Sequence, residues 1–128
     1  MKINKHIHHI FLIIPMIVFI VGCNENPDRH LELGKWYAQK GLWNEAVLEF
    51  REVIRLSPAN HKALTREQFQ TLSNAHYHMA IVYTKKGWWD AALNEAKTCF
   101  DLQPTQNHYE LLQLIQKRIT LDALPAES

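Results

Sequence analysis

Two stretches of this chain follow the same pattern: KGLWNEA, residues 40–46, and KGWWDAA, residues 86–92. The match extends outward at a constant offset of 46 residues (83 − 37), so that Tyr83 matches Tyr37 and Pro104 matches Pro58. A match sustained at one offset indicates an internal repeat, which constrains the fold more than any local motif does. The chain is therefore expected to contain two copies of one structural unit.

Each unit is predicted to be a hairpin of two helices. In the first unit, residues 26–28 (Asn-Pro-Asp) combine an N-cap residue, proline at the first helical position and an early acid. Gly41 is expected to end that helix, because glycine tolerates the left-handed conformation of a C-terminal cap. Asn44 is predicted to cap the second helix, with Trp43 and Leu48 placed as a hydrophobic staple.

The second unit is predicted to repeat this plan. A helix would end at Gly87, a second would be capped by Asp90, and Pro104 would close the unit as Pro58 closes the first. Proline stops a helix because it disfavours the helical conformation of the residue before it.

The segment between the units, residues 61–72, contains no glycine or proline and is rich in helix-forming residues. Thr65 and Gln68 have capping-box spacing, and apolar residues continue from there at helical intervals into the second unit. We expect the first helix of that unit to be lengthened at its N-terminal end, starting near Thr65.

A further helix is predicted from Asn107 to about Ala123. Asn107 and Glu110 have capping-box spacing, and a broad apolar band follows. An array of repeats leaves one face uncovered at each end, so this helix is expected to cap the second unit.

The repeated residues carry a family resemblance. Leu33-Gly34, Tyr37, Gly41, Ala46, Phe50 and Pro58 resemble the tetratricopeptide repeat, and their counterparts in the second unit do so with Ala96 in place of Phe50. His30 and His76 stand where the family has an early tryptophan. The family period of about 34 residues leaves residues 61–72 as an insert. The resemblance implies an all-α fold: a short solenoid of two helical hairpins (27–60 and 73–106), with a lengthened helix and a C-terminal capping helix (107–124).

The N-terminus has the composition of a secretory signal. Lys2 and Lys5 precede a short apolar run that ends at Gly22. The sequence IVGC, residues 20–23, resembles the lipobox of bacterial lipoproteins, which implies a signal peptide over 1–22, lipidation of Cys23 and a lipidated linker over 23–26. Two alternatives stay open: an ordinary signal with a coincidental cysteine, and an uncleaved anchor.

Composition argues against several other functions. The formal net charge of +1 gives no basic footprint for nucleic acid. No phosphate-binding loop, nucleophile elbow or cysteine–histidine arrangement is present, so we expect no enzyme and no cofactor. His76 and His78 are two residues apart, whereas helical metal pairs are four apart, and no metal is predicted. With Cys23 lipidated, Cys99 has no disulfide partner and is expected to be a buried small hydrophobe.

The resemblance also implies a partner-binding surface. Tetratricopeptide repeats commonly hold a peptide or a helix against the concave face formed by their first helices. Carried over by position, that groove comprises Leu31, Lys35, Gln39, Tyr77, His78, Ile81, Thr84 and Lys85. Trp88 is a candidate surface anchor, because tryptophan is enriched in binding hot spots; the alternative is a tryptophan folded over its own hairpin.

These inferences lead to one main functional hypothesis. The chain is expected to be a lipid-anchored scaffold or assembly protein of a bacterial cell envelope, facing the periplasm and binding protein partners. Asn24 follows the lipidated cysteine where inner-membrane retention favours aspartate, so the outer membrane is favoured. The alternative is a ligand- or metal-binding accessory subunit of an envelope complex that uses Tyr77 and His78.

Overall fold

The computed structural model describes residues 25–123, and these residues contain helices and no strand, which confirms the predicted all-α class. The predicted signal peptide and Cys23 lie outside the described residues. The α-helices of this range are α1 (Pro27–Gln39), α2 (Trp43–Leu56), α3 (Arg66–Lys85), α4 (Trp89–Leu102) and α5 (Gln106–Asp122). None of these helices is long and apolar enough to cross a membrane.

The helices pack as two hairpins followed by a single helix. The most extensive contacts are those of α1 with α2 and of α3 with α4, while α2 packs on α3 and α4 packs on α5. Gly41 and Gly87 lie in the two tight turns with φ values of 73° and 71°. Because other residues rarely adopt this left-handed conformation, the repeated glycines place a turn at equivalent points of both hairpins.

Two of the predicted helix starts are confirmed. The side chain of Asn26 accepts a hydrogen bond from the Asp28 amide at 2.9 Å, with Pro27 as the first helical residue. At α3, Thr65 Oγ1 accepts from the Gln68 amide while Gln68 Oε1 accepts from the Thr65 amide, which completes a capping box.

Three other predicted caps are wrong. Helices α2 and α4 begin at Trp43 and Trp89, one residue before the predicted caps Asn44 and Asp90. Their N-cap residues are Leu42 and Trp88, and neither makes a side-chain capping hydrogen bond. The third predicted cap is Asn107, but helix α5 begins one residue earlier, at Gln106. Its N-cap is Thr105, whose hydroxyl accepts from the His108 amide at 3.3 Å.

The insert contributes a lengthened helix, as predicted. Residues His61–Ala63 form one turn of 3₁₀ helix, and α3 then starts after Thr65. As a result α3 has 20 residues where its counterpart α1 has 13.

One continuous core joins both hairpins and α5. It includes Phe50 from α2, Met79 from α3, Ala96 from α4 and Ile115 from α5, each at most 3% exposed. Because α5 contributes Ile115 to this same core, it packs on the second hairpin.

Candidate partner-binding grooves

The groove between α1 and α3, here called the α1–α3 groove, brings together several predicted site residues. Its lining consists of Lys35, Ala38, Gln39, Trp43, His78, Ile81, Val82 and Lys85. The predicted residues among these are Lys35, Gln39, His78, Ile81 and Lys85, which the repeat resemblance had placed there by position. Ala38, Trp43 and Val82 were not predicted to lie there.

Trp43 contributes an aromatic side chain to the lining of the α1–α3 groove. The glycine turn at Gly41 brings Trp43 to the start of α2, where it is partly buried and packs against the core. Its ring also lines the α1–α3 groove beside Val82 and Lys85. Trp43 thus packs against the core and also lines the groove, whereas its position predicted only a staple contact with Leu48.

The chemistry of the groove is apolar at its floor and cationic at its rim. Lys35 is paired with the exposed Glu32 of its own helix at 2.8 Å. His78 stacks on Phe50 with ring centroids 5.7 Å apart. Burial, and secondarily the charge of Lys35, lower the pKa of His78, so its ring is neutral at pH 7 and offers one donor and one acceptor.

Three predicted groove residues lie elsewhere. Leu31 is 6% exposed and belongs to the core, so its side chain is closed to a partner. The Thr84 hydroxyl donates to the Ile81 carbonyl of its own helix at 2.7 Å, and Thr84 does not line the α1–α3 groove. Tyr77 lines a separate shallow groove against α5, with its ring 5.2 Å from that of His108.

His30 and His76, which match at the offset of 46 residues, form equivalent pairs with glutamate. His30 Nδ1 lies 2.6 Å from Glu49 Oε2, and His76 Nδ1 lies 2.6 Å from Glu95 Oε2. Both pairs are partly buried and tie the first helix of a hairpin to its second. The sequence repeats His and Glu at the same offset, and this coincidence was the available clue to the pairing.

Two further features concern metal-ligating side chains and the thiol of Cys99. Among residues 25–123, no group of three histidine, cysteine, aspartate or glutamate side chains is placed to hold a metal ion. Cys99 is fully buried, and burial raises the pKa of its thiol to about 11, so it is a protonated core residue as predicted.

Trp88, the predicted surface anchor, is 53% exposed. It lies in a groove of its own, lined by Asn44, Val47, Leu48, Arg51, Lys86 and Trp88 and here called the Trp88 groove. This groove shares no lining residue with the α1–α3 groove.

Comparison of the chain with protein-family models, with curated proteins and with solved structures finds no match.

Proposed function

We propose that this chain is a lipid-anchored scaffold or assembly protein of tetratricopeptide type, facing the periplasm from the outer membrane of a bacterial envelope. It binds a protein partner and catalyses no reaction. The observation that carries this proposal is the α1–α3 groove, in which first-helix residues from both hairpins line one continuous surface.

The groove suits a peptide segment better than a small molecule. Its apolar floor can bury one or two side chains, while Lys35, Gln39 and Lys85 at the rim can bind backbone carbonyls or acidic groups of the partner. Such a mixed surface is typical of sites for an extended segment or a short helix.

The repeat itself supports the tetratricopeptide assignment. Both hairpins turn at a left-handed glycine, and both carry the same histidine–glutamate pair between their helices. Equivalent tertiary contacts at one sequence offset are expected of a repeat array, in which each unit packs in the same way.

Combining Ile81→Asn with Lys85→Glu in the full-length chain should weaken partner capture at least about tenfold, because it removes apolar floor and reverses a rim charge. Capture is measured by crosslinking in cells of the source organism, followed by quantitative mass spectrometry of the crosslinked partner. Lys97→Glu makes the same charge reversal on α4, outside the groove, and should leave capture unchanged. Undiminished capture by the double variant would place the interface elsewhere.

Cys23→Ser should abolish incorporation of a labelled fatty acid into the chain, because the lipid would be attached to the Cys23 thiol. Incorporation is followed by metabolic labelling, with the wild-type chain and Cys99→Ser as controls. Cys99→Ser keeps Cys23 and should be labelled as the wild type is. Persistent labelling of Cys23→Ser would contradict the lipoprotein assignment without affecting the partner-binding proposal.

A further inference from the structure

The Trp88 groove contains two large apolar side chains that the fold does not require. Leu48 is 61% exposed and Trp88 is 53% exposed. At the equivalent positions of the other hairpin, the repeat has Asn94 in place of Leu48 and Leu42 in place of Trp88. The hairpin plan therefore tolerates a polar residue and a smaller residue at these points.

The predicted staple contact with Trp43 does not explain why position 48 carries a leucine. As part of a hydrophobic staple it would be covered by Trp43, but Leu48 is exposed and Trp43 packs on the α3 side. An apolar residue without a packing role is more informative when it lies beside a second one. Leu48 and Trp88 line the same groove.

The Trp88 ring is held in place before any partner arrives. The ring of Tyr83 lies 5.7 Å away, and Lys86 Nζ lies over the Trp88 ring at 4.2 Å from its centroid. The same ammonium donates to Asn44 Oδ1 at 2.6 Å, which links the second turn to α2. A side chain fixed in this way loses little conformational entropy on binding, and this favours its use as an anchor.

The groove is also cationic. Arg51 and Lys86 both line it, and neither forms an ion pair with a carboxylate anywhere in residues 25–123. The guanidinium of Arg51 makes one long hydrogen bond, 3.5 Å, to the hydroxyl of Tyr83. An exposed guanidinium beside apolar groups is well suited to bind a carboxylate through two parallel hydrogen bonds.

We infer that the Trp88 groove is a second protein-binding surface, which takes an acidic segment carrying a carboxylate next to a large apolar side chain. The carboxylate binds Arg51, and the apolar side chain packs on Leu48 and the exposed edge of Trp88. Charge complementarity selects this partner chemistry over a neutral or basic segment. The inference does not depend on the α1–α3 groove or on the lipid anchor.

The test uses the full-length chain, purified in detergent and labelled with ¹⁵N. The probe is a short, capped peptide of glutamate and leucine, and its counterpart has lysine for every glutamate. The four tryptophans give four indole N–H resonances, and Trp88→Leu identifies that of Trp88 by its loss. The glutamate peptide should shift the Trp88 resonance, with a Kd at least about tenfold lower than that of the lysine peptide.

Matched variants come from the repeat. Leu48→Asn copies Asn94, and Arg51→Glu reverses the groove charge; each should weaken binding at least about fivefold. Lys97→Glu, equivalent in position to Arg51, and Trp36→Leu, at a tryptophan 49% exposed outside the groove, should leave the Kd unchanged.

Three results with the peptides would overturn the inference. They are equal affinity for the two peptides, a shift confined to the Trp43 resonance, and full binding by Leu48→Asn and Arg51→Glu. A Trp88 shift produced by phosphatidylglycerol vesicles but not by the glutamate peptide would also overturn it, in favour of a membrane contact.

Discussion

Replacement of Gly34 by alanine is expected to lower the free energy of unfolding by about 1–3 kcal/mol, although alanine is the better helix former. A Cβ atom at Gly34 would lie 2.5 Å from Phe50 Cε1 and 2.7 Å from Phe50 Cδ1. Phe50 has no exposed surface, so its ring cannot move without displacing the surrounding core. Chemical unfolding followed by circular dichroism measures the difference.

A double-mutant cycle separates this clash from other effects of the methyl group. Phe50→Ala alone should cost about 3–5 kcal/mol, because it leaves a cavity. In that background Gly34→Ala should be neutral or stabilising by up to about 1 kcal/mol, since the ring is gone and helix propensity remains. Equal destabilisation in both backgrounds would contradict the clash.

The double variant reproduces what the second hairpin already has. Ala80 and Ala96 occupy the positions equivalent to Gly34 and Phe50, and both are fully buried. The two hairpins therefore fill the same interhelical space with different pairs, a glycine with a phenylalanine or two alanines. The sequence repeat shows that alanine replaces both Gly34 and Phe50 in the second hairpin. That the two replacements depend on each other can be seen only from the close approach of Gly34 to the Phe50 ring.

Local signals in the sequence predicted the parts of the fold that local interactions decide. Asn26 and Thr65 were identified as caps because their hydrogen bonds reach only two or three residues along the chain. Asn44 was assigned to the same role and has another: its side chain accepts from Lys86, 42 residues away. Composition and spacing cannot distinguish a local from a long-range use of the same amide.

In the candidate site, too, some residues were placed correctly from the sequence and others were not, because their positions depend on long-range packing. The repeat resemblance placed Lys35, Ile81 and Lys85 on a shared face by position, and the α1–α3 groove contains all three. Leu31 and Tyr77 were assigned to that face as well, but the first is in the core and the second faces α5. Which side of a helix is covered depends on its neighbours, and the packing position of α5 was not available from spacing.

Replacing Ile115 by alanine is the other change with a large expected effect, a loss of about 2–5 kcal/mol in the free energy of unfolding. Ile115 is fully buried, and it connects α5 to the core that both hairpins share. Since alanine has the higher helix propensity, α5 itself is not weakened, and the loss reports its packing on the hairpins. Urea unfolding monitored by circular dichroism gives the value.

The adjacent residue provides the control. Leu114 is 63% exposed on the same helix, and Leu114→Ala should change the stability by no more than about 0.5 kcal/mol. A comparable loss in both variants would contradict the assignment of the loss to the burial of Ile115. If Ile115→Ala instead removed only part of the helical signal and left the main transition in place, α5 would unfold independently. The two hairpins would then be stable without it, because a capping helix that the array needs must unfold together with the array.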